Sequence, residues 1–245
     1  MSENNKIVLE DFFRYFDEHN AAQKDGVALL ANAMAPELMT DSSEWVRTYR
    51  GEFAKDEAKQ GEALLSNPLS VPYDCQLEHG DEGWRLCFTA SCAMTAKFHL
   101  PDLDINEYYA RRPRYGDSTD PSAQIRTLQS FGLQARFVQV GSADKLKQQI
   151  DRGRPAPVGY LHHGTPQNPS GGGHYSVCIG YDDSAYGGEG AFIFNDPYGE
   201  LNLSTGSYPN PGPHGKGVLY SYKNWVPRWS VANDHDGWGL DIWKP

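Results

Sequence analysis

The stretch CFTASCAMTAKFHL, residues 87–100, decides the fold class of this 245-residue chain. It is apolar along most of its length, it directly follows the loop GDEGWRL, and Pro101 comes next. The pattern predicts a compact helix that ends before the proline. Cys87 then lies at the helix N-terminus, where unsatisfied backbone N–H groups and the positive end of the helix dipole favour a thiolate.

The segments after this helix alternate between strand and helix patterns. Helices are predicted over residues 122–131 and 145–151. Strands are predicted over residues 135–140, 157–161, 175–181 and 191–194. The segment 198–223, rich in Gly, Pro, Asn and Ser, is predicted to be a long loop. This order predicts an α+β fold in which the Cys87 helix packs against a mostly antiparallel sheet.

The first part of the chain has a different pattern. Apolar residues recur at helical spacing there, as in Leu9, Phe12, Phe13 and Phe16. The two prolines of SNPLSVP then interrupt any helix near residues 66–71. We therefore predict a small helical N-terminal domain over 1–66 and a larger domain over 70–245.

The composition excludes several classes of function. The chain has 22 basic and 32 acidic residues, a formal net charge of −10, so binding to nucleic acid or to an anionic membrane surface is disfavoured. No apolar stretch approaches the roughly 18 residues of a membrane span. The sequence MSENNKIVLEDFF does not have the pattern of a secretory signal, so a cytoplasmic location is expected.

Four cysteines, at positions 75, 87, 92 and 178, are too few for a disulfide scaffold, and they form no C-x-x-C pair. Reduced thiols are therefore expected. Cys92 lies deeper in the same predicted helix as Cys87, among Ala, Met and Phe, and Cys178 lies within a predicted strand. Both are predicted to pack in the core. Cys87, at the predicted helix start, is the candidate for reactivity.

His174 is the candidate base. It follows three glycines in SGGGHYSVCIGY and opens a predicted strand, a position from which an imidazole can take a proton from a thiol. The alternative is a loop histidine without a role. His162 and His163 are rival bases, but they follow the end of a strand and are predicted to lie on the rim of the site.

Two further polar residues fit the same chemistry. Asp196, in FIFNDPYGE, follows a predicted strand and could orient the imidazole, although Asp-Pro is also common in turns and the neighbouring Asn195 is an alternative partner. Gln76 precedes Cys87 by eleven residues. Its side-chain amide could donate to an oxyanion together with the Cys87 backbone N–H, or it could be an ordinary loop residue.

Taken in order, VPYDCQ, CFTASCAM, GGHYSVCIGY and FNDP resemble the double-glycine leader peptidase-like branch of papain-like cysteine peptidases. That family shows Val-Pro-Tyr-x-x-Gln, Cys-Gly-Pro-x-Ser-x-Ala-Met, Gly-His-Tyr and Asn-Asp-Pro in the same order. The resemblance covers roughly residues 70–200. In one respect the chain departs from the family, because Phe88 and Thr89 replace Gly-Pro, which leaves the shape of the oxyanion loop open.

The resemblance implies a papain-like cysteine peptidase domain over 70–245. It assigns Cys87 as nucleophile, His174 as base and Asp196 as the orienting group. It also assigns Gln76 to the oxyanion hole. The implied reaction is attack on an amide carbonyl, formation of an acyl-enzyme and hydrolysis.

The substrate is less defined than the chemistry. Leader peptidases of this type are usually fused to a transporter, and no such part is recognised in the sequence. Stretches such as LEHGDEGWRLC and LHHGTPQNPSGGGH resemble phage-encoded cell-wall hydrolases (endolysins), including those of phages infecting cyanobacteria. This resemblance implies peptidoglycan stem peptides or cross-bridges as substrate, a wall-binding or attachment role for residues 1–66, and a substrate groove lined by the loops after Asp196.

Three alternatives remain at this point: a cytosolic cysteine peptidase or isopeptidase acting on proteins, a transglutaminase-like transferase, and a non-catalytic binding module on a papain-like scaffold. No cofactor or metal is expected. The residues Asp102, Asp104 and Asn106 begin like a calcium loop, but Glu107 and Pro113 occupy positions where such a loop needs Gly and Glu. The sequence does not indicate an oligomeric state.

Overall fold

The computed structural model describes residues 67–245, so the predicted helical domain over 1–66 lies outside the described residues and the domain boundary stays a prediction. Helix α1 (Cys87–His99) contains the decisive stretch, and every residue from Phe88 to Ala96 is buried. The predicted compact helix that ends before Pro101 is therefore confirmed.

The other helices of seven residues or more are α2 (Ile105–Arg111), α3 (Pro121–Ser130), α4 (Ala143–Asp151) and α5 (Tyr222–Trp229), and a four-residue helical turn covers Ala185–Gly188. The strands are β1 (Gln134–Gly141), β2 (Ala156–Tyr160), β3 (His163–Thr165), β4 (Asn168–Ser170), β5 (His174–Asp182), β6 (Ala191–Asn195), β7 (Val218–Ser221) and β8 (Gly237–Trp243). Short 3₁₀ turns cover Gln76–Glu78, Gly83–Arg85 and Arg112–Arg114.

Six strands form one sheet in the order β1-β8-β2-β5-β6-β7, and every neighbouring pair is antiparallel. Helix α1 packs against β5 and β2 in the middle of this sheet. The hairpin β3–β4 is inserted between β2 and β5 and forms its own two-stranded sheet. The predicted α+β fold, with the Cys87 helix on an antiparallel sheet, is confirmed.

Two strands of the six-stranded sheet are absent from the sequence prediction, and both form by pairing with strands from other parts of the chain. The segment 198–223 contains β7 and the start of α5, because β7 pairs with the buried strand β6 in spite of the many Gly and Pro residues around it. Strand β8, which is not among the predicted strands, lies between β1 and β2 and buries Leu240 and Ile242. Its partners precede it by a long stretch of chain.

Helix α2 is a third difference, and it explains the sequence that begins like a calcium loop. The side chain of Asp104 accepts a hydrogen bond of 2.9 Å from the backbone N–H of Asn106 and so caps this helix. The acidic residues at positions 102–106 thus belong to the start of a helix and not to a calcium loop. Within residues 67–245, no helix is long and apolar enough to cross a membrane.

Candidate active site

Cys87 is the first residue of α1 and the only one of the chain's four cysteines that is not buried. The preceding residue, Leu86, provides no side-chain cap for the helix. Burial raises the pKa of the other three thiols, Cys75, Cys92 and Cys178, which keeps them protonated. Position and access together distinguish Cys87 as the candidate nucleophile.

His174 and Asp196 meet because they occupy adjacent strand ends. His174 is the first residue of β5 and Asp196 directly follows β6, and these strands pair with Val177 opposite Asn195. The Nε2 atom of His174 lies 2.8 Å from Oδ1 of Asp196. Cys87 also contributes to the raised pKa of His174, so the thiol lies near the ring, and Nδ1 is the ring nitrogen that Asp196 does not use.

The electrostatics of this pair favour its charged form. Burial by itself would lower the pKa of His174, but the charge and hydrogen bond of Asp196, and those of Cys87, outweigh it and raise the pKa to about 10. Burial would likewise raise the pKa of Asp196, yet His174 and further hydrogen bonds hold it below its ordinary value. The imidazolium form of His174 and the ionised form of Asp196 therefore stabilise each other.

Asn195, the alternative partner, points elsewhere. Its Nδ2 donates to the carbonyl of Val71 at 3.1 Å, and its Oδ1 accepts from the N–H of Gly217 at 3.1 Å. Both hydrogen-bonding ends of this buried amide are therefore used by the backbone. The structure brings Asp196, and not Asn195, against the imidazole.

Phe88, which replaces the family's glycine, does not occupy the site. Its ring is 1% exposed and stacks on Tyr175, with centroids 3.7 Å apart and planes within 9°. Phe88 directly follows Cys87, and Tyr175 directly follows His174. The stacked pair therefore fixes the start of α1 against the start of β5, and it sets the separation of the two candidate catalytic residues.

Replacing Phe88 with alanine should lower the free energy of unfolding by about 3–5 kcal/mol, because it leaves a cavity under a stacked aromatic ring. Chemical denaturation of the two proteins measures the difference. Trp84, whose side chain is 57% exposed, offers the matched control: its replacement by alanine should change stability by less than about 0.5 kcal/mol. Equal stabilities for wild type and Phe88→Ala would contradict the anchoring role.

Gln76 is hydrogen-bonded to the residue that follows Asp196. Its side chain is buried, and Nε2 donates to the carbonyl of Gly83 at 2.8 Å, while its backbone N–H donates to the carbonyl of Pro197 at 3.0 Å. The carbonyl of Gly83 uses one N–H of the amide, and the amide oxygen Oε1 is buried without a hydrogen-bond partner. The hydrogen bond to Pro197 also connects the Gln76 loop to the residue next to Asp196, so the two loops are positioned together.

The rival histidines lie beside the site. The ring of His162 is 5.9 Å from that of His174, centroid to centroid. Burial, together with the electrostatic effects of His174 and His163, lowers the pKa of His162 to about 3 and keeps this residue neutral. His163 packs on Gly171, which has a φ of +90° and where a Cβ would lie 2.2 Å from the ring. This close approach explains the first glycine before His174.

The sequence reasoning did not identify the residues behind Asp196. Three tyrosine hydroxyls, from Tyr160, Tyr208 and Tyr220, donate to its Oδ2 at 2.9, 3.0 and 2.8 Å. Gly215 lies against its backbone, where a Cβ would approach the Asp196 carbonyl oxygen to 2.0 Å. Tyr208 and Gly215 belong to the segment predicted to line a substrate groove, and these two residues instead contact Asp196.

Residues 67–245 contain no group of three or more His, Cys, Asp or Glu side chains arranged to hold a metal ion. A thiol at a helix start, near an imidazole that is oriented by a buried carboxylate, is the constellation of nucleophilic acyl transfer. An amide donor and the free N–H groups of the first helical turn complete it.

Comparison with known proteins gives one family match. Residues 68–211 match the Peptidase_C39 like family, and no curated protein matches the sequence significantly.

Three solved structures share low identity with the chain. The first is a double glycine motif protease from an AMS/PCAT transporter, in complex with the leader peptide, with a TM-score of 0.45, 16% identity, and coverage of 75% of this chain and 98% of that one. The second is a proposed C39-like peptidase from Bacillus anthracis, with a TM-score of 0.48, 13% identity, and coverage of 74% and 98%. The third is the peptidase domain of Streptococcus ComA, a bi-functional ABC transporter involved in a quorum sensing pathway, with a TM-score of 0.40, 13% identity, and coverage of 74% and 100%.

Proposed function

Because this chain belongs to the Peptidase_C39-like family of cysteine peptidases, we propose that it hydrolyses amide bonds with Cys87 as nucleophile, His174 as base and Asp196 as the group that orients the base. The observation that carries the proposal is the hydrogen bond of 2.8 Å between Nε2 of His174 and Oδ1 of Asp196, together with the influence of the nearby Cys87 on the pKa of the same imidazole. Each of the three side chains stands at the end of a helix or strand, where a rigid element fixes its position.

The geometry assigns each of these residues a role in one step of amide hydrolysis. Nδ1 of His174 takes the proton of the Cys87 thiol, and the thiolate attacks the carbonyl carbon of the scissile amide. The oxyanion that forms is stabilised by the N–H of Cys87 and by Nε2 of Gln76. The imidazolium then protonates the leaving amine, and a thioester remains. Water, deprotonated by His174, attacks the thioester and releases the carboxylic acid and the thiol.

For the substrate, we propose the peptide part of peptidoglycan, either stem peptides or cross-bridges. The support is the sequence resemblance to phage-encoded cell-wall hydrolases, and the place of action would be the wall of a host cell after release from its cytoplasm. Residues 1–66 would then attach the enzyme to the wall. Trp84, exposed on the loop just before Cys87, offers a flat apolar surface on which such a substrate can pack.

Purified peptidoglycan suspensions should lose turbidity when wild-type protein is added and should stay turbid with Cys87→Ala. The released fragments should carry new peptide amines and carboxylates, which mass spectrometry detects, and their masses identify the bond. Absence of clearing by both proteins would remove peptidoglycan as the substrate. It would leave amide hydrolysis itself to be tested on linear peptides.

The alternatives give different results in the same samples. A peptidase that acts on proteins would cleave linear peptides but would not clear the wall. A transferase would incorporate an added primary amine into the product in place of water. A non-catalytic scaffold would leave Cys87 unmodified by iodoacetamide under conditions in which a free cysteine in solution reacts.

A further inference from the structure

Oδ2 of Asp196 accepts hydrogen bonds from three hydroxyl groups. They come from separate parts of the chain: Tyr160 ends β2, Tyr220 lies in β7, and Tyr208 lies in the loop between β6 and β7. Oδ1 accepts from His174 and from the backbone N–H of Tyr198 at 3.0 Å. The carboxylate is fully buried and accepts five hydrogen bonds in total.

The neighbouring hydrogen bonds decide where the tyrosine protons point. The hydroxyl of Tyr220 already accepts from the backbone N–H of Leu201 at 2.8 Å, so its own proton is directed to Asp196. The hydroxyl of Tyr160 lies 2.8 Å from Oγ of Ser176, which can donate to it. Burial, reinforced by the charge of Asp196, raises the pKa of Tyr160 and of Tyr220 well above the ordinary value. Both phenols therefore remain neutral donors.

Only the ionised form of this buried carboxyl group can accept hydrogen bonds from all five donors. A protonated carboxyl would turn one acceptor position into a donor, and it would place that proton against hydroxyl or N–H hydrogens that already point inward. Hydrogen bonds to the charged form oppose the cost of burying the charge. The three hydroxyls also fix the plane of the carboxylate, so that Oδ1 stays in line with the imidazole.

We propose that Tyr160, Tyr208 and Tyr220 are positioning residues that keep Asp196 ionised and aligned with His174 in acid solution, and so extend the pH range of the enzyme downward. This inference rests on the proposed function, because it assigns these hydroxyls a role in the same triad. None of the three tyrosines touches the reacting atoms, and they act through Asp196.

Other charged or titratable groups around Asp196 do not supply this effect. His162 is neutral, and the hydroxyl of Tyr73 donates to the backbone carbonyl of Asp196 at 3.1 Å, not to its carboxylate. The guanidinium of Arg228 is turned to the backbone carbonyls of Leu161, His163, Gly164 and Leu203. His174 is thus the cation against the carboxylate, with Cys87 beyond it.

The test is the pH dependence of Cys87 alkylation by iodoacetamide, followed on the intact full-length protein by mass spectrometry, which requires no substrate. Tyr208→Phe and Tyr220→Phe each remove one donor and keep the ring. The acid limit of rapid alkylation should move to higher pH by about one unit in each variant, a tenfold change in proton affinity, and further in the double variant.

Tyr181→Phe is the matched control, because its exposed hydroxyl also donates to a carboxylate, Asp151, at 2.8 Å, on β5 away from the site. Its alkylation profile should equal that of the wild type. Profiles of Tyr208→Phe and Tyr220→Phe that also coincide with the wild type would overturn the positioning role. A wild-type Cys87 that does not react at all would instead overturn the proposed function. Tyr208, only half-buried, keeps the comparison possible if Tyr220→Phe is unstable.

Discussion

Replacement of Cys87 by alanine is expected to abolish amide hydrolysis, with a loss of more than about a thousandfold, and to leave the fold unchanged. The thiolate is the group that forms the acyl-enzyme, and no other cysteine can take its place because Cys75, Cys92 and Cys178 are buried. The side chain of Cys87 is only half-buried, so its removal costs little packing. Hydrolysis of the substrate found in the clearing assay, together with thermal unfolding, measures both effects.

Cys92→Ala is the matched control for that experiment. It removes the same thiol one and a half turns deeper in the same helix, where the side chain is 0% exposed. We expect full activity and a loss of stability on the order of 1 kcal/mol. Loss of activity in Cys92→Ala with retention in Cys87→Ala would mean that the two cysteines have been assigned in the wrong order and that the nucleophile is not at the helix start.

The parts of the site that local patterns could predict are the ends of single elements. Cys87 could be placed at a helix start because the apolar stretch between GDEGWRL and Pro101 is a purely local signal. His174 and Asp196 could be placed at a strand start and a strand end for the same reason. Their contact depends only on β5 and β6 being neighbours, which short connections favour.

The supporting residues could not be predicted in this way. Tyr160, Tyr208 and Tyr220 come from a strand, a loop and another strand, and only the finished sheet brings their hydroxyls to one oxygen atom. The pairing of Phe88 with Tyr175 is equally a product of α1 packing on β5. Strand β8 has the same origin, since its place between β1 and β2 is determined by non-local pairing.

His174→Ala should lose activity by about 10²–10⁴-fold, because it removes the group that transfers the proton in both halves of the reaction. Added imidazole should restore part of the lost rate if the space left by the ring admits it.

Asp196→Asn should lose less activity than His174→Ala, about 10- to 100-fold at neutral pH, the equivalent of one hydrogen bond to a charged partner. Its amide oxygen can still accept from His174 and from the N–H of Tyr198, so the ring stays in the same tautomer.

The pH dependence of kcat/KM distinguishes the orienting role of Asp196 from the effect of its negative charge on the pKa of His174. The charge and hydrogen bond of Asp196 raise the pKa of His174 to about 10 against the opposing effect of burial. In Asp196→Asn burial still lowers this pKa but the negative charge that opposes burial is removed, so the imidazolium that protonates the leaving amine is lost at lower pH. The alkaline limb of kcat/KM should therefore move down relative to wild type. An unmoved limb would show that Asp196 only orients the ring, and wild-type activity in His174→Ala would end the assignment of the triad.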